Sequence, residues 1–328
     1  MELIFKKMAQ ISASLLFVIL AATTVVLYLS AKPAIQEFGA GFLFESRWGV
    51  EEKLETSLQP EIGGELGTDT VDDGFIEDED DFIEDDEDFV TDDDTELGSN
   101  DSNMIYGALV PIVGTIFSTL IAMLFSIPIA LGIAVFLSEI ASTVIAKPIG
   151  IAIELLASVP SIIYGMWGLF YFGPFIASVF GGNTVSLLVA GLVLAVMVVP
   201  FMAALSRDAI STVPDMLKES AYAMGATKLE VIKDVVFPYA KSGIIGSIIL
   251  SFGRALGETM AVAFVIGGVY QFASKVTDPT NSIPVVLANS FAESSGLSLS
   301  VLFYLALILF VMSFMVIAVA KHYFLRSK

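Results

Sequence analysis

Long apolar runs alternate with short polar stretches along this chain, and the lengths of the runs point to helices that cross a membrane. A run of 18 or more apolar residues is long enough to span the hydrocarbon core as a helix. Six such runs occur, at about 9–31, 105–137, 149–173, 184–206, 242–269 and 298–320. The pattern predicts an all-α polytopic membrane protein with six transmembrane helices. The second run exceeds the ~20 residues of a straight span, so Pro111 and Pro128 are expected to break or kink it, with its start along the outer surface. Pro160 and Gly165 predict a kink near a cavity in the third. The first run lacks a small-residue cleavage site behind it and reads as a retained anchor.

Composition agrees. Of 328 residues, 55% are hydrophobic, and the mean hydropathy is +0.81, far above a soluble domain. There is no cysteine, which excludes a disulfide framework and thiolate metal sites. The single histidine, His322, sits in a basic tail with Lys321, Arg326 and Lys328, so histidine-based catalysis is not expected. No metal or cofactor is expected, and nothing points to nucleic acid.

The net charge of −20 is unevenly distributed. Residues 51–101 hold 23 of the 36 acids and one base, Lys53, while the remainder carries a net charge of +2. Long runs of like charge resist compaction, so 51–101 reads as a largely disordered acidic insert. Within it Phe75-Ile76, Phe82-Ile83 and Phe89-Val90 recur every seven residues, which gives the spacer a weak amphipathic character. Asp69–Gly74 fails the EF-hand pattern because Val71 stands at its third position. The expected organisation is an N-terminal membrane helix (1–31), an extracytoplasmic segment (32–104) containing the insert, and a five-span core (105–328) with a cytoplasmic loop at 207–241. Basic residues set the orientation. With both termini inside, cytoplasmic segments carry eleven Lys and Arg residues and outer segments four, predicting N-in, C-in.

Two polar tracts interrupt this apolar background. In the 207–241 loop, Asp215 is placed as the N-cap of a helix that ends at Gly225, a residue suited to a left-handed turn. A second short helix, Ala226–Val236, is expected to stop at Pro238. Its Leu229, Ile232 and Val236 share a face that can form an apolar knob for a groove. The other tract, Gly253-Arg254-Ala255-Leu256-Gly257-Glu258-Thr259-Met260-Ala261-Val262, lies inside the fifth run. A central arginine costs about 2.5–3.5 kcal/mol to insert, so intramembrane charges mark functional sites. Arg254 and Glu258 are four apart and are expected to share a helix face. A guanidinium suits an oxyanion because it is always charged and offers two parallel donors. Glu258 either orients Arg254 or takes a proton from a protonated oxyanion, and orientation is favoured because a lone carboxylate repels an anion. Gly253 and Gly257 predict close packing of another helix near Arg254. Glu154 is expected to snorkel or to pair with Arg207 or a loop lysine. Ser158, Ser161, Tyr164 and Thr259 are candidate neutral donors along a pathway.

The spacing Glu219-x-Ala221-(x3)-Gly225-(x9)-Val235-x-Phe237-Pro238 resembles the EAA loop of ABC importer permeases. The Gly253–Val262 tract, together with Glu154–Gly165 and Pro200-(x5)-Ser206-Arg207-Asp208, narrows the resemblance to the PstC type of phosphate-importer permease. The likeness covers roughly Phe42–Trp48 and Tyr106–Lys321. It implies the type I, MetI-like permease fold in the inner or plasma membrane. It also implies a PstA-like permease partner, two PstB-like ATPase subunits and a PstS-like phosphate-binding protein. Glu219, Ala221, Gly225 and Pro238 would belong to the ATPase-coupling loop, and Arg254, Glu258 and Thr259 to the phosphate pathway. The chain lacks the Gly-(x4)-Gly-Lys-[Ser/Thr] loop of an ATPase, so it is expected to be a non-catalytic subunit. The alternatives are a permease for molybdate or sulfate and a membrane scaffold for phosphate signalling.

Overall fold

The computed structural model describes residues 2–51 and 104–325. The acidic insert and its seven-residue repeat lie outside the described residues. The described part is helical apart from a two-stranded sheet and its loops. The helices are α1 (Glu2–Phe38), α2 (Leu109–Val135), α3 (Thr143–Ala157), α4 (Ser161–Trp167), α5 (Gly173–Phe180), α6 (Leu187–Ser211), α7 (Asp215–Ala223), α8 (Lys228–Glu230), α9 (Phe237–Leu256), α10 (Met260–Ala263), α11 (Ile283–Ser290) and α12 (Gly296–Leu325). Wider π-helical turns join α4 to α5 and α8 to α9 and extend α2 to Ile140. Among the described residues six continuous helical stretches are long and apolar enough to cross a membrane: Phe5–Leu43, Leu109–Ile140, Ser161–Phe180, Leu187–Ser211, Lys228–Leu256 and Gly296–His322.

These stretches match the expected runs in number and order, but three differ in detail. The second is unbroken. Pro111 sits in the first turn of α2, where its missing N–H leaves nothing unpaired, and Pro128 is accommodated inside the helix. The third is two helices, because α3 ends at Ala157 and Pro160 starts α4. Proline disfavours helical backbone in the residue before it, so the expected kink is a complete break. The fifth ends at Leu256 with Gly257 as its C-cap, and only the four-residue α10 follows before the chain turns through Gly267 and Gly268, both at positive φ. Hydropathy continues past Gly257, but the helix does not.

The centre of the bundle is α6, with 67% of its apolar window buried. Its Val189, Val193, Leu194, Met197, Val198 and Met202 form the main core with residues of α2, α9 and α10. Lipid is as apolar as these side chains, so close approach rather than water exclusion holds such helices together. Small residues permit that approach. A Cβ at Gly191 would stand 2.6 Å from Ile121, and one at Gly243 would stand 2.6 Å from Ala209. Gly253 abuts Ile317 of α12 in the same way, so the helix near this glycine is the chain's own last span. Hydroxyls add a few polar ties, such as Ser206 to Ser247 at 2.6 Å between α6 and α9.

At the end of the bundle that carries the strands, β1 (Trp48–Glu51) pairs antiparallel with β2 (Met104–Tyr106), joining the two ends of the 52–103 segment. The Phe42–Trp48 stretch, part of the family-like sequence, packs here. Phe42 stacks on Tyr304 at 4.8 Å, Trp48 stacks on Tyr270 at 5.1 Å, and Tyr106 meets Trp48 edge-on at 5.4 Å. Aromatic pairs at these separations favour offset and edge geometries. The Arg47 side chain and backbone N–H donate to Glu45, holding its carboxyl down at about 2.

Candidate translocation pathway and coupling loop

Two helix breaks lie close together, at residues that are exposed or half-buried on this chain. In the first, between α3 and α4, the Ser158 hydroxyl donates to the Leu155 carbonyl at 2.7 Å, and the Tyr164 hydroxyl donates back across the break to Leu156 at 2.9 Å. Ser161 opens α4. The second break, Gly257 to Thr259, separates α9 from α10. The two breaks are neighbours because α4 lies on α10. A Cβ at Gly165 would stand 2.9 Å from Phe264 and 3.0 Å from the Ala261 backbone. Irregular backbone at membrane depth is tolerated where it is buried in protein or lines a cavity.

Arg254 lies in the last turn of α9 and is exposed on the surface of this chain. The structure places Tyr164 on α4, across the neighbouring break. It does not bring Glu258 to Arg254. Gly257 ends the helix, the expected shared face is lost, and among the described residues no ion pair joins the two. The Glu258 carboxylate instead accepts the Ala261 backbone N–H at 3.2 Å and caps α10. Thr259 donates to the Gly257 carbonyl at 3.3 Å within the same break. The insertion cost of Arg254 is offset in other ways. Its position at a helix C-terminus places positive charge at the negative end of the helix dipole. Its guanidinium carbon also lies 5.0 Å from the centroid of the Phe201 ring on α6. Sequence spacing gave no hint of Phe201, which is on a different helix.

At the other end of α9, the loop takes nearly the expected form. Asp215 is the first residue of α7 rather than its cap, which is Pro214. Gly225 has φ +90°, the left-handed turn expected of it. Its N–H bonds to Tyr222, while the Ala226 N–H reaches Ala221. Thr227 and Glu230 then form a capping box that starts the next helix. That helix does not stop at Pro238. The wide turn Val231–Val236 precedes the proline and absorbs its missing donor, so 228–256 runs continuously. The expected knob is also redistributed. Ile232 and Val236 turn into the core, whereas Met216, Met224 and Leu229 are at least 75% exposed. Glu219 is exposed and Ala221 half-buried.

Two ion pairs tie this loop and the end of α6 to the bundle. Lys218 Nζ lies 2.6 Å from Glu139 at the end of the α2 stretch, with side-chain exposures of only 16% and 8%. Arg207 bonds Glu154 of α3 at 2.8 Å, the expected partner, and Asp208 at 3.2 Å. Glu139 escaped the sequence reading because a single acid at the end of an apolar run shows nothing of its partner 79 residues away.

Residues 104–324 match the model of the binding-protein-dependent transport system inner membrane component family. Similar curated proteins are phosphate transport system permease proteins PstC. That of Haemophilus influenzae is 37% identical and aligns 98% of this chain with 92% of that protein. Those of Pasteurella multocida and Xylella fastidiosa strain Temecula1 are 44% and 47% identical over 70% and 67% of this chain, covering 79% and 74% of theirs. Solved structures agree in fold. An inward-facing MetNI methionine ABC transporter matches with a TM-score of 0.54 at 18% identity, over 66% of this chain and 94% of that one. A bacterial ABC transporter that imports the acidic polysaccharide alginate matches at 0.53 and 14% identity, over 66% and 79%. With a family match over most of its length and relatives of this identity, the chain belongs to the binding-protein-dependent transport permeases, in the group of the phosphate transport system permease protein PstC.

Proposed function

We propose that this chain is the permease subunit that forms the phosphate pathway of an ATP-driven importer, together with a second, PstA-like permease. The observation that carries this reading is Arg254, an intramembrane guanidinium without a carboxylate partner among the described residues, beside two helix breaks. The exposed face that carries it is where the second permease would close the pathway. Glu258 and Thr259 shape the break that presents Arg254, while Ser158, Ser161 and Tyr164 line the neighbouring one. The apolar tips Met216, Met224 and Leu229 with Glu219 would dock into one of two PstB-like ATPases. A PstS-like binding protein would deliver phosphate to the opposite end, where the strand pair lies. The excess of basic residues in the termini and the 207–241 loop supports an orientation with all three in the cytoplasm.

The reconstituted complex in vesicles is expected to take up radiolabelled phosphate only with ATP, and excess molybdate or sulfate is expected not to compete. Competition by either would assign the pathway to that oxyanion. Intact assembly without uptake would favour the signalling scaffold.

The coupling assignment has a separate test. Gly225→Val puts a β-branched residue at φ +90°, a conformation that costs about 1–3 kcal/mol. Co-purification of the ATPase is expected to fall while membrane insertion persists. Unchanged co-purification and uptake would remove Gly225 from the coupling role.

A further inference from the structure

The geometry points to Phe201 as the residue that positions Arg254 for the anion, an inference that rests on the phosphate-pathway reading above. An arginine inside a membrane needs a partner, and the choice of partner decides what the charge can do. A carboxylate would neutralise it and compete with an incoming oxyanion for the same N–H donors. An aromatic ring does neither. Its face attracts the cation through the ring quadrupole and leaves the net charge intact. The ring takes no hydrogen bond from the guanidinium edge in return, so the donors remain available for two-point contact with phosphate.

The structure has the arrangement this requires. The Arg254 guanidinium carbon stands 5.0 Å from the Phe201 centroid. Glu258, the carboxylate nearest in sequence, is engaged instead by the Ala261 N–H. Phe201 is mounted on α6 between the buried Pro200 and Met202, so the ring belongs to the best-packed helix of the bundle. The Ser206–Ser247 contact at 2.6 Å fixes α6 against α9 one to two turns away. A long, flexible side chain is therefore held in place before the anion arrives, which reduces the ordering cost at the moment of binding. Phe201 is a positioning residue: it acts on phosphate through Arg254.

The test uses the full importer in vesicles, with half-saturating phosphate concentration and maximal uptake rate measured separately. Phe201→Leu keeps an apolar side chain but removes the ring. The maximal rate is expected to fall about 2- to 5-fold, the range for losing a cation–π contact at an exposed site. Half-saturation, set by the binding protein, is expected to stay unchanged. Phe201→Tyr is expected to restore the rate. Stepwise fluorination of the Phe201 ring weakens the quadrupole at nearly constant shape, and the rate is expected to fall in steps with it. A merely structural ring would not respond in steps. Co-purification of the ATPase reports assembly for each variant, and the singly fluorinated ring serves as the mildest member of the series. Parental rates in Phe201→Leu, or no trend with fluorination in assembled complexes, would overturn the inference. If Arg254→Gln is inactive while fluorination has no effect, Phe201 is excluded but the pathway reading stands. If Arg254→Gln transports normally, the pathway reading itself fails.

Discussion

Arg254→Gln is expected to reduce phosphate uptake by the assembled complex by roughly 10- to 150-fold, the value of a charged hydrogen-bonding group at about 1.5–3 kcal/mol. Glutamine keeps N–H donors and approximate length but removes the charge. Insertion should if anything improve, because a central arginine is costly to place in the membrane, so co-purification with the ATPase is expected to remain normal. Arg254→Lys should recover part of the rate. An ammonium supplies charge without the planar pair of donors, and it stacks on an aromatic ring less well. Glu258→Gln should have only a modest effect at every pH, because an amide oxygen can still accept the Ala261 N–H. A strongly altered pH profile in that variant would instead assign Glu258 to proton transfer. Uptake near the parental rate in Arg254→Gln would remove this residue from the pathway.

The second large effect is expected at the pair between Glu139 and Lys218. Their side chains are only 8% and 16% exposed, so removing one partner strands the other. Breaking a fully buried pair in this way costs about 3–5 kcal/mol, an upper bound for this part-buried contact. Glu139→Ala leaves Lys218 with Asp215, at 3.9 Å, as its remaining carboxylate. The expected outcome is loss of the fixed position of α7 against the α2 stretch, with reduced ATPase co-purification and uncoupled transport. The reversed pair, Glu139→Lys with Lys218→Glu, should recover part of the loss. Full recovery is not expected, because Glu at 218 would face Asp215. If the reversed pair performs no better than the sum of its single changes, the contact does not carry coupling.

Much of the fold was legible because hydropathy reports which segments lie in lipid. The six spans emerged from run length alone, and Gly225 was legible because few other residues tolerate its backbone angle. What hydropathy does not report is continuity of the helix. The residues from Met260 to Val269 are apolar, so the fifth span read as one helix although Arg254 lies before a break and Glu258 within it. That misplacement carried into the site, since the i, i+4 spacing that would pair them holds only within one helix. Pro238 misled in the opposite direction: proline is compatible with the first turn of a helix, and only the wide turn before it shows how the chain continues. The contacts of Phe201 with Arg254 and of Glu139 with Lys218 join distant parts of the chain. No local pattern encodes them, whereas Glu154 and Arg207 could be matched because the choice of nearby cations was short.

The pairing of Trp48–Glu51 with Met104–Tyr106 has a consequence for how this protein tolerates change. The chain leaves the bundle and re-enters it on adjacent strands, so the length between those points is uncoupled from the geometry of the spans. Closing a longer loop across a fixed gate costs only about 0.6 kcal/mol for each doubling of length. The strand pair is therefore a port at which sequence can be gained, lost or exchanged with little cost to the bundle. Shortening the stretch between the two strands is expected to leave the six spans in place.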